Sequence, residues 1–290
     1  MNAPSPEVTP SLLREWPLPE PGGSKHSRGH VLVIGGARST PGAVLLAGIA
    51  ALRVGAGVLA MAVPEDVAIP LAVAVPEAAV TGWPELTGPA LSTADRQGFT
   101  ELLRQASAVL LGPGLDSPQL ATLLLALVAE ELPPRVPVVL DAYALGVLPE
   151  HAETVSTFGG RVVLTPNQDE AARLLASDID DYDPTRVATS IADEWQAVVS
   201  YQGVVAQPRA PARVIPTGHA GLGTSGSGDV LAGAIAGLLA RGADPVRAAC
   251  WGTYLHAAAG DRLAARVGRL GFLARELLDE VPLVLTELQA

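Results

Sequence analysis

The sequence predicts an α/β fold, with a mostly parallel central sheet covered by helices on both faces. Short, near-continuous Val/Leu runs recur roughly 25–30 residues apart, as strands buried on both faces require. Glycine or proline closes most of these runs, and apolar stretches of helical length lie between them. The last quarter of the chain reads as helices alone.

Taken in order, "HVLVIGG" (30–36) is a buried strand ended by glycines. Thr40 and Pro41 then read as N-cap and first residue of the helix "PGAVLLAGIAALRVGAG". "VLAMAVP" (58–64), "ASAVLLG" (106–112), "VPVVLDA" (136–142) and "RVVLTP" (161–166) are the next strands. Residues 121–130 form a helix between two of them, and "WQAVVSYQGVVAQP" is two strands joined by a turn near Gly203. Residues 229–289 are helical. The proline-rich residues 1–23 are expected to be an arm lying on the surface, and residues 24–290 a single domain with no internal repeat.

Composition narrows the function classes. Of 290 residues, 49% are hydrophobic and 17% charged, so a large core is assured. A net charge of −11 argues against nucleic acid and anionic membrane surfaces. The single cysteine, Cys250, precludes an internal disulfide and suits a reducing cytoplasm. The first residues lack the basic and apolar regions of a signal peptide, and no apolar run is long enough to span a bilayer. A cytoplasmic protein is expected. Lys25 is the only lysine, so no later glycine cluster can be a phosphate loop ending in Gly-Lys.

In a parallel α/β sheet, ligands gather where strand ends meet helix N-termini. The segment "GLGTSGSGDVLAG" (221–233) places five glycines and three hydroxyl residues around Asp229 at the start of a helix. Its glycines let successive N–H groups turn towards an anion, which the positive end of the helix also attracts. A carboxylate there repels phosphate unless it has work to do, such as accepting the proton of an attacking hydroxyl. The other reading is a helix cap after a flexible loop. Gly233 and Gly237 leave a bare helix face for close packing. In "TPNQDE" (165–170), Asn167 and Glu170 suit Mg²⁺, directly or through water, or else form a capping box. "GPGL" (112–115) admits a flat ligand or is an ordinary turn. Asp141 orients a ligand or caps a helix, and His256 and Cys250 read as packed helix residues.

In order, "GSKHSRGHVLVIGG", "LLGPGL", "VVLDAYAL", "LTPNQDEAARLL", "GSGDVLAGAIAGLLARG" and "YLHAAAGDRLAARVGRLGFLARELLDEVP" resemble the ADP- or ATP-dependent NAD(P)H-hydrate dehydratases of the ribokinase-like superfamily. The match covers residues 24–282 and implies a three-layer α/β/α fold with a mostly parallel central sheet. It implies repair of NADH or NADPH hydrated at C6, through phosphorylation of the C6 hydroxyl and phosphate elimination, with ADP or ATP and Mg²⁺. By resemblance, Asp229 is the catalytic base and also contacts substrate. Thr224, Ser225, Gly226, Ser227 and Gly228 form the anion hole. Ala43, Gly114 and Asn167 contact the hydrated cofactor. Gln202, Gly203, Val204, Val205, Ala206 and Gly228 contact the nucleotide. A homo-oligomer is implied too.

Two departures from the family pattern stand out. Asn167 occupies a position where histidine is common, and Gln202-Gly203 replaces a common Lys-Gly, removing a charge beside the phosphates. No epimerase domain is expected at this length. The alternatives are a kinase of the same fold acting on a hydroxymethylpyrimidine, a thiazole alcohol or a sugar, and a catalytically weak nucleotide-binding regulator.

Overall fold

The computed structural model describes residues 5–20, 22–83, 92–177 and 183–290. Its strands are β1 (His30–Ile34), β2 (Val58–Pro64), β3 (Ala78–Trp83), β4 (Ala108–Leu111), β5 (Val138–Leu140), β6 (Val162–Leu164), β7 (Val198–Tyr201), β8 (Val204–Ala206) and β9 (Arg213–Val214). They form one sheet in the order β3-β2-β1-β4-β5-β6-β7-β8-β9. Strands β1 to β7 pair in parallel, and the hairpin β7–β8–β9 is antiparallel. From β1 the chain works outward to β3 and then returns to β4 on the other side. The strand order therefore reverses between β1 and β4, which opens a crevice at their carboxyl ends.

The helices are α1 (Pro10–Glu15), α2 (Pro41–Arg53), α3 (Glu65–Ala74), α4 (Thr93–Gln105), α5 (Pro118–Glu131), α6 (Tyr143–Val147), α7 (Ala152–Ser156), α8 (Gln168–Leu174), α9 (Pro184–Trp195), α10 (Ser227–Ala240), α11 (Pro245–Arg266) and α12 (Ala274–Gln289). Alternate strand residues feed two cores. Val31 and Val33 pack beneath α2, α10, α11 and α12, whereas Leu32 and Ile34 pack against α4, α5 and α6. Each strand is thus covered on both sides, and that is why its sequence is apolar without alternation. The three-layer α/β/α arrangement is the one expected. Among the described residues, no helix is long and apolar enough to cross a membrane.

Two short glycines bring α10 unusually close to α2. A Cβ at Gly233 would lie 2.1 Å from the Ala47 carbonyl oxygen, and one at Gly237 would lie 2.6 Å from that of Ala51. The bare face read from the sequence is therefore packed against α2.

The opening segment corrects one expectation. It does not merely lie on the surface, because Val8 and Leu13 are fully buried in the core and Leu18 nearly so. The Val8 N–H donates to the Val214 carbonyl at 2.8 Å, and the Val214 N–H donates to that of Pro6 at 3.0 Å. This covers the otherwise open edge of β9. The guanidinium groups of Arg213 and Arg247 each lie over the Trp16 ring, at 5.6 and 5.2 Å from its centroid. Residues 1–4 and 21 of the arm lie outside the described residues. The edge strands β3 and β9 were not expected from the sequence: β3 alternates weakly and β9 has only two residues.

Candidate active site

The glycine-rich segment forms a built loop, anchored before it reaches α10. Asp261 of α11 accepts from the Thr217 hydroxyl and, at 2.9 Å, from the Gly218 N–H. His219 Nδ1 accepts from the Gly221 N–H at 2.9 Å, and its ring meets Phe272 edge-on. Gly226 is the N-cap of α10 with φ 87°, a left-handed conformation natural to glycine. The Ser227 N–H donates to the Thr224 carbonyl and the Val230 N–H to that of Gly226. Among the described residues, the N–H groups of Ser225, Gly226, Gly228 and Asp229 have no such partner. These are unpaired donors at the positive end of a helix, as anion binding requires.

Ser227 plays a different part from its neighbours. Its N–H is taken by Thr224, and its buried hydroxyl lies 2.8 Å from Nε2 of the buried His256. Burial pushes His256 down to about 4, so its imidazole is neutral at neutral pH. Ser227 and His256 thus support the loop from beneath rather than face its open side.

Asp229 is the third residue of α10, and its carboxylate accepts no hydrogen bond among the described residues. It is not acting as the helix cap. Burial, reinforced by the charges of Asp141 and Glu170, pushes it up to about 7. Glu170 is pushed up to about 7 by burial, against the opposing Asn167 N–H. Asp141, buried at the end of β5, is pushed up to about 6 by desolvation. The Thr165 hydroxyl donates to it at 2.7 Å. Ala142, which follows, holds φ 50° and ψ −122°, a strained pair for a residue with a Cβ. Asp141 at the end of β5 and Glu170 and Asp229 in the first turns of α8 and α10 are thus all raised above the usual carboxylate range, a pattern common at functional sites.

Asp229, Glu170, Ser225 and Gly226 line a cavity of about 940 Å³ together with Thr40, Ala43, Gly114, Tyr143 and Arg173. The loops after β1 and β4 close its floor. The Gly36 N–H donates to the Pro113 carbonyl at 2.7 Å, and the Thr40 hydroxyl donates to the Gly114 carbonyl at 2.8 Å. Thr40 is positionally the α2 N-cap but makes no side-chain cap bond. Gly114, with φ 70°, would place a Cβ 2.5 Å from the Thr40 carbonyl, so this turn leaves no room for a side chain.

The residues singled out in the sequence separate into two groups. Ala43, Gly114, Glu170, Ser225, Gly226 and Asp229 share the cavity. Asn167 is exposed beside it and forms a capping box with Glu170: its Oδ1 accepts from the Glu170 N–H at 3.0 Å, and its N–H donates to Glu170 Oε2 at 2.8 Å. The residues 202–206 stand apart from the cavity. Gln202 (φ 46°) and Gly203 (φ 77°) make the tight turn between β7 and β8 at the carboxyl end of β7. Val204, Val205 and Ala206 are buried strand residues whose side chains point into the core. Arg173 and the His256 support of Ser227 were not anticipated. The Glu-x-x-Arg spacing in "DEAARLL" was the available signal for Arg173, since residues three apart share a helix face.

Residues 31–283 match the family model described as NAD(P)H-hydrate dehydratase. The chain is 42% identical to the ADP-dependent (S)-NAD(P)H-hydrate dehydratase of Xanthomonas campestris, over 97% of this chain and 96% of that one. It spans about half the length of several bifunctional NAD(P)H-hydrate repair enzymes that it also matches. A ribokinase-like superfamily protein of Enterococcus faecalis shares the fold with a TM-score of 0.84 at 23% identity, covering all of both chains. The ADP/ATP-dependent NAD(P)H-hydrate dehydratase of Bacillus subtilis, co-crystallised with ATP and Mg²⁺, has a TM-score of 0.79 at 26% identity, covering 99% of this chain and 100% of that one. With the family model matched over most of its length, and such identity end to end, this chain belongs to the NAD(P)H-hydrate dehydratase family.

Proposed function

We propose that the chain restores NADH and NADPH from their hydrates at the expense of ADP or ATP, with Asp229 as the base. One observation carries this reading: a partly buried, unbonded carboxylate stands beside unpaired loop amides in the cavity that also holds Ala43 and Gly114. As the C6 hydroxyl oxygen attacks the terminal phosphorus of the nucleotide, Asp229 takes the hydroxyl proton. The phosphorus–oxygen bond to the leaving AMP or ADP breaks. The loop amides hold the charge that builds on the transferring phosphoryl group. The C6–O bond of the phosphate ester then breaks, phosphate leaves, and loss of the C5 proton restores the C5=C6 double bond. Water is thereby removed in two easier steps, because phosphate leaves far more readily than hydroxide.

Asn167 caps α8 and its Oδ1 is engaged there, so the groups that would hold a Mg²⁺ ion are the second Glu170 oxygen and Asp229, which line the same cavity, through water and with nucleotide phosphates. When bound, the ion supplies charge neutralisation to the phosphates. The turn at Gln202 and Gly203 is assigned to the nucleotide, contacted through main chain. The direct test incubates the protein with hydrated NADH, Mg²⁺ and ADP or ATP, and follows the return of reduced-nicotinamide absorbance with release of phosphate. A stable phosphorylated product from a vitamin-precursor or sugar alcohol, made faster than NADH is restored, would favour the kinase instead.

The lost charge at position 202 has its own expected result. Gln202 is exposed in its turn, so Gln202→Lys keeps the backbone and adds a cation near the phosphates. ADP and ATP should bind several-fold more tightly by calorimetric titration. An unchanged or weaker affinity for both places residue 202 away from the nucleotide.

A further inference from the structure

We infer that Arg173 is the group that receives the diphosphate of the dinucleotide hydrate and so sets the substrate's affinity. This rests on the proposed repair activity. Arg173 is the only basic side chain among the residues lining the 940 Å³ cavity. It is exposed and, among the described residues, has neither an ion pair nor a hydrogen bond of its own. Several other arginines are already committed: Arg38 pairs with Asp66, Arg53 with Asp279, and Arg262 with Glu280 and Glu287. An unpaired guanidinium in a cavity is a donor fork without an acceptor, and a diphosphate matches that fork in shape and charge.

The surrounding charge makes a cation necessary. Asp229 and Glu170 line the same space, and Asp141 lies buried beneath them. The chain as a whole carries −11. A dinucleotide with at least two phosphate charges meets repulsion both on approach and in the cavity, unless a local positive group offsets it. Arg173 stands on α8 one turn beyond Glu170, on the same helix face, and its charge is felt by Glu170. The cavity thus holds two carboxylates and one guanidinium. A substrate with a neutral hydroxylated ring joined through ribose to a diphosphate has the complementary arrangement. The ring hydroxyl sits at Asp229 and the diphosphate at Arg173.

The nucleotide is the other phosphate-bearing partner, and its place differs. Residues 202–206 do not line this cavity, and the loop amides around Gly226 and Gly228 already suit the transferring phosphoryl group. Arg173 therefore belongs to the substrate rather than to ADP or ATP.

Steady-state kinetics and calorimetry on Arg173→Gln and Arg173→Lys test this. Loss of a charged hydrogen-bonding partner should raise KM for hydrated NADH roughly 10- to 100-fold. The ADP dissociation constant should stay at its wild-type value and kcat within about threefold. Arg173→Lys, keeping the charge without the fork, should recover part of the affinity. The wild-type KM should climb with ionic strength, and that of Arg173→Gln much less. An unchanged KM overturns the assignment. So does an equal loss of ADP affinity, which would move Arg173 to the nucleotide, or a fall in kcat at constant KM, which would make it act through Glu170. A wild type that binds ADP yet never restores NADH overturns the activity and this assignment with it. A wild type that restores NADH beside an Arg173→Gln variant of equal KM overturns the assignment alone.

Discussion

Asp229→Asn should lose at least about a hundredfold in turnover, since a positioned general base contributes roughly 10²–10⁴-fold. The variant keeps the size and the helical position, and Asp229 makes no hydrogen bond that would be lost. Nucleotide binding should survive or improve as a negative charge leaves the phosphate site. Stability should move the other way from activity. Burial first, and then Asp141 and Glu170, hold the folded-state carboxyl at about 7, well above its unfolded value. Such a group favours the folded state fully at acidic pH, and that contribution is lost as pH rises through about 7. The Asn variant has no charge to bury. Its melting temperature should therefore match the wild type near pH 4 and exceed it by a few degrees at pH 8. For the wild-type enzyme, the same shift predicts that the hydrate reaction loses rate as pH falls below about 7, where the base is protonated. The checks are turnover of hydrated NADH, ADP titration and thermal melts at both pH values. Near-normal repair by a folded, ADP-binding Asn variant would remove the catalytic assignment.

Gly112→Ala should be strongly destabilising. Gly112 follows β4 with φ 126°, a backbone conformation open to glycine and costly for any residue with a side chain. An added Cβ would lie 1.8 Å from the Asp141 carbonyl oxygen and 3.0 Å from the Ala144 Cβ, so the main chain itself has to move. Backbone strain of about 1–3 kcal/mol adds to overpacking of a similar size, giving a loss of roughly 2–6 kcal/mol in urea unfolding. The displaced backbone carries Asp141, Ala142 and the start of α6, so the cavity should suffer even in the folded fraction. A stability loss below about 1 kcal/mol would mean that the ends of β4 and β5 are not tightly apposed. A neighbouring control is Gly146, around which a Cβ meets nothing within 4 Å.

Both predictions concern residues visible in the sequence, but for different reasons. Asp229 stands out because a carboxylate among glycines at a helix start is chemically odd. Gly112 was legible only as part of "GPGL", where an ordinary turn and a ligand approach looked alike. The turn geometry is ordinary enough, and what makes Gly112 irreplaceable is the Asp141 carbonyl arriving from a strand 25 or more residues later. In the same way, "TPNQDE" reads as cap or metal site, and the capping box settles what Asn167 does at rest. The shift of Glu170 to about 7 comes from burial that no local spacing reports.

Local pattern determined the architecture. Unbroken runs such as "VLAMAVP" and "RVVLTP" dictate strands covered on both faces, since only burial on both sides tolerates that composition. Glycine and proline at their ends set the turns, and the hairpin at Gln202 and Gly203 followed from its turn residues. The tertiary structure alone decided what meets across the crevice. It drew Val8 and Leu13 into the core, because an edge strand of two residues needed a partner and the sheet needed cover. It set His256 beneath Ser227, and it turned Arg173 into the same space as Asp229. Periodicity shows which residues share a face within one element. Contacts between elements dozens of residues apart depend on the order of the strands and the closeness of α10 to α2, and those are fixed only when the whole chain packs.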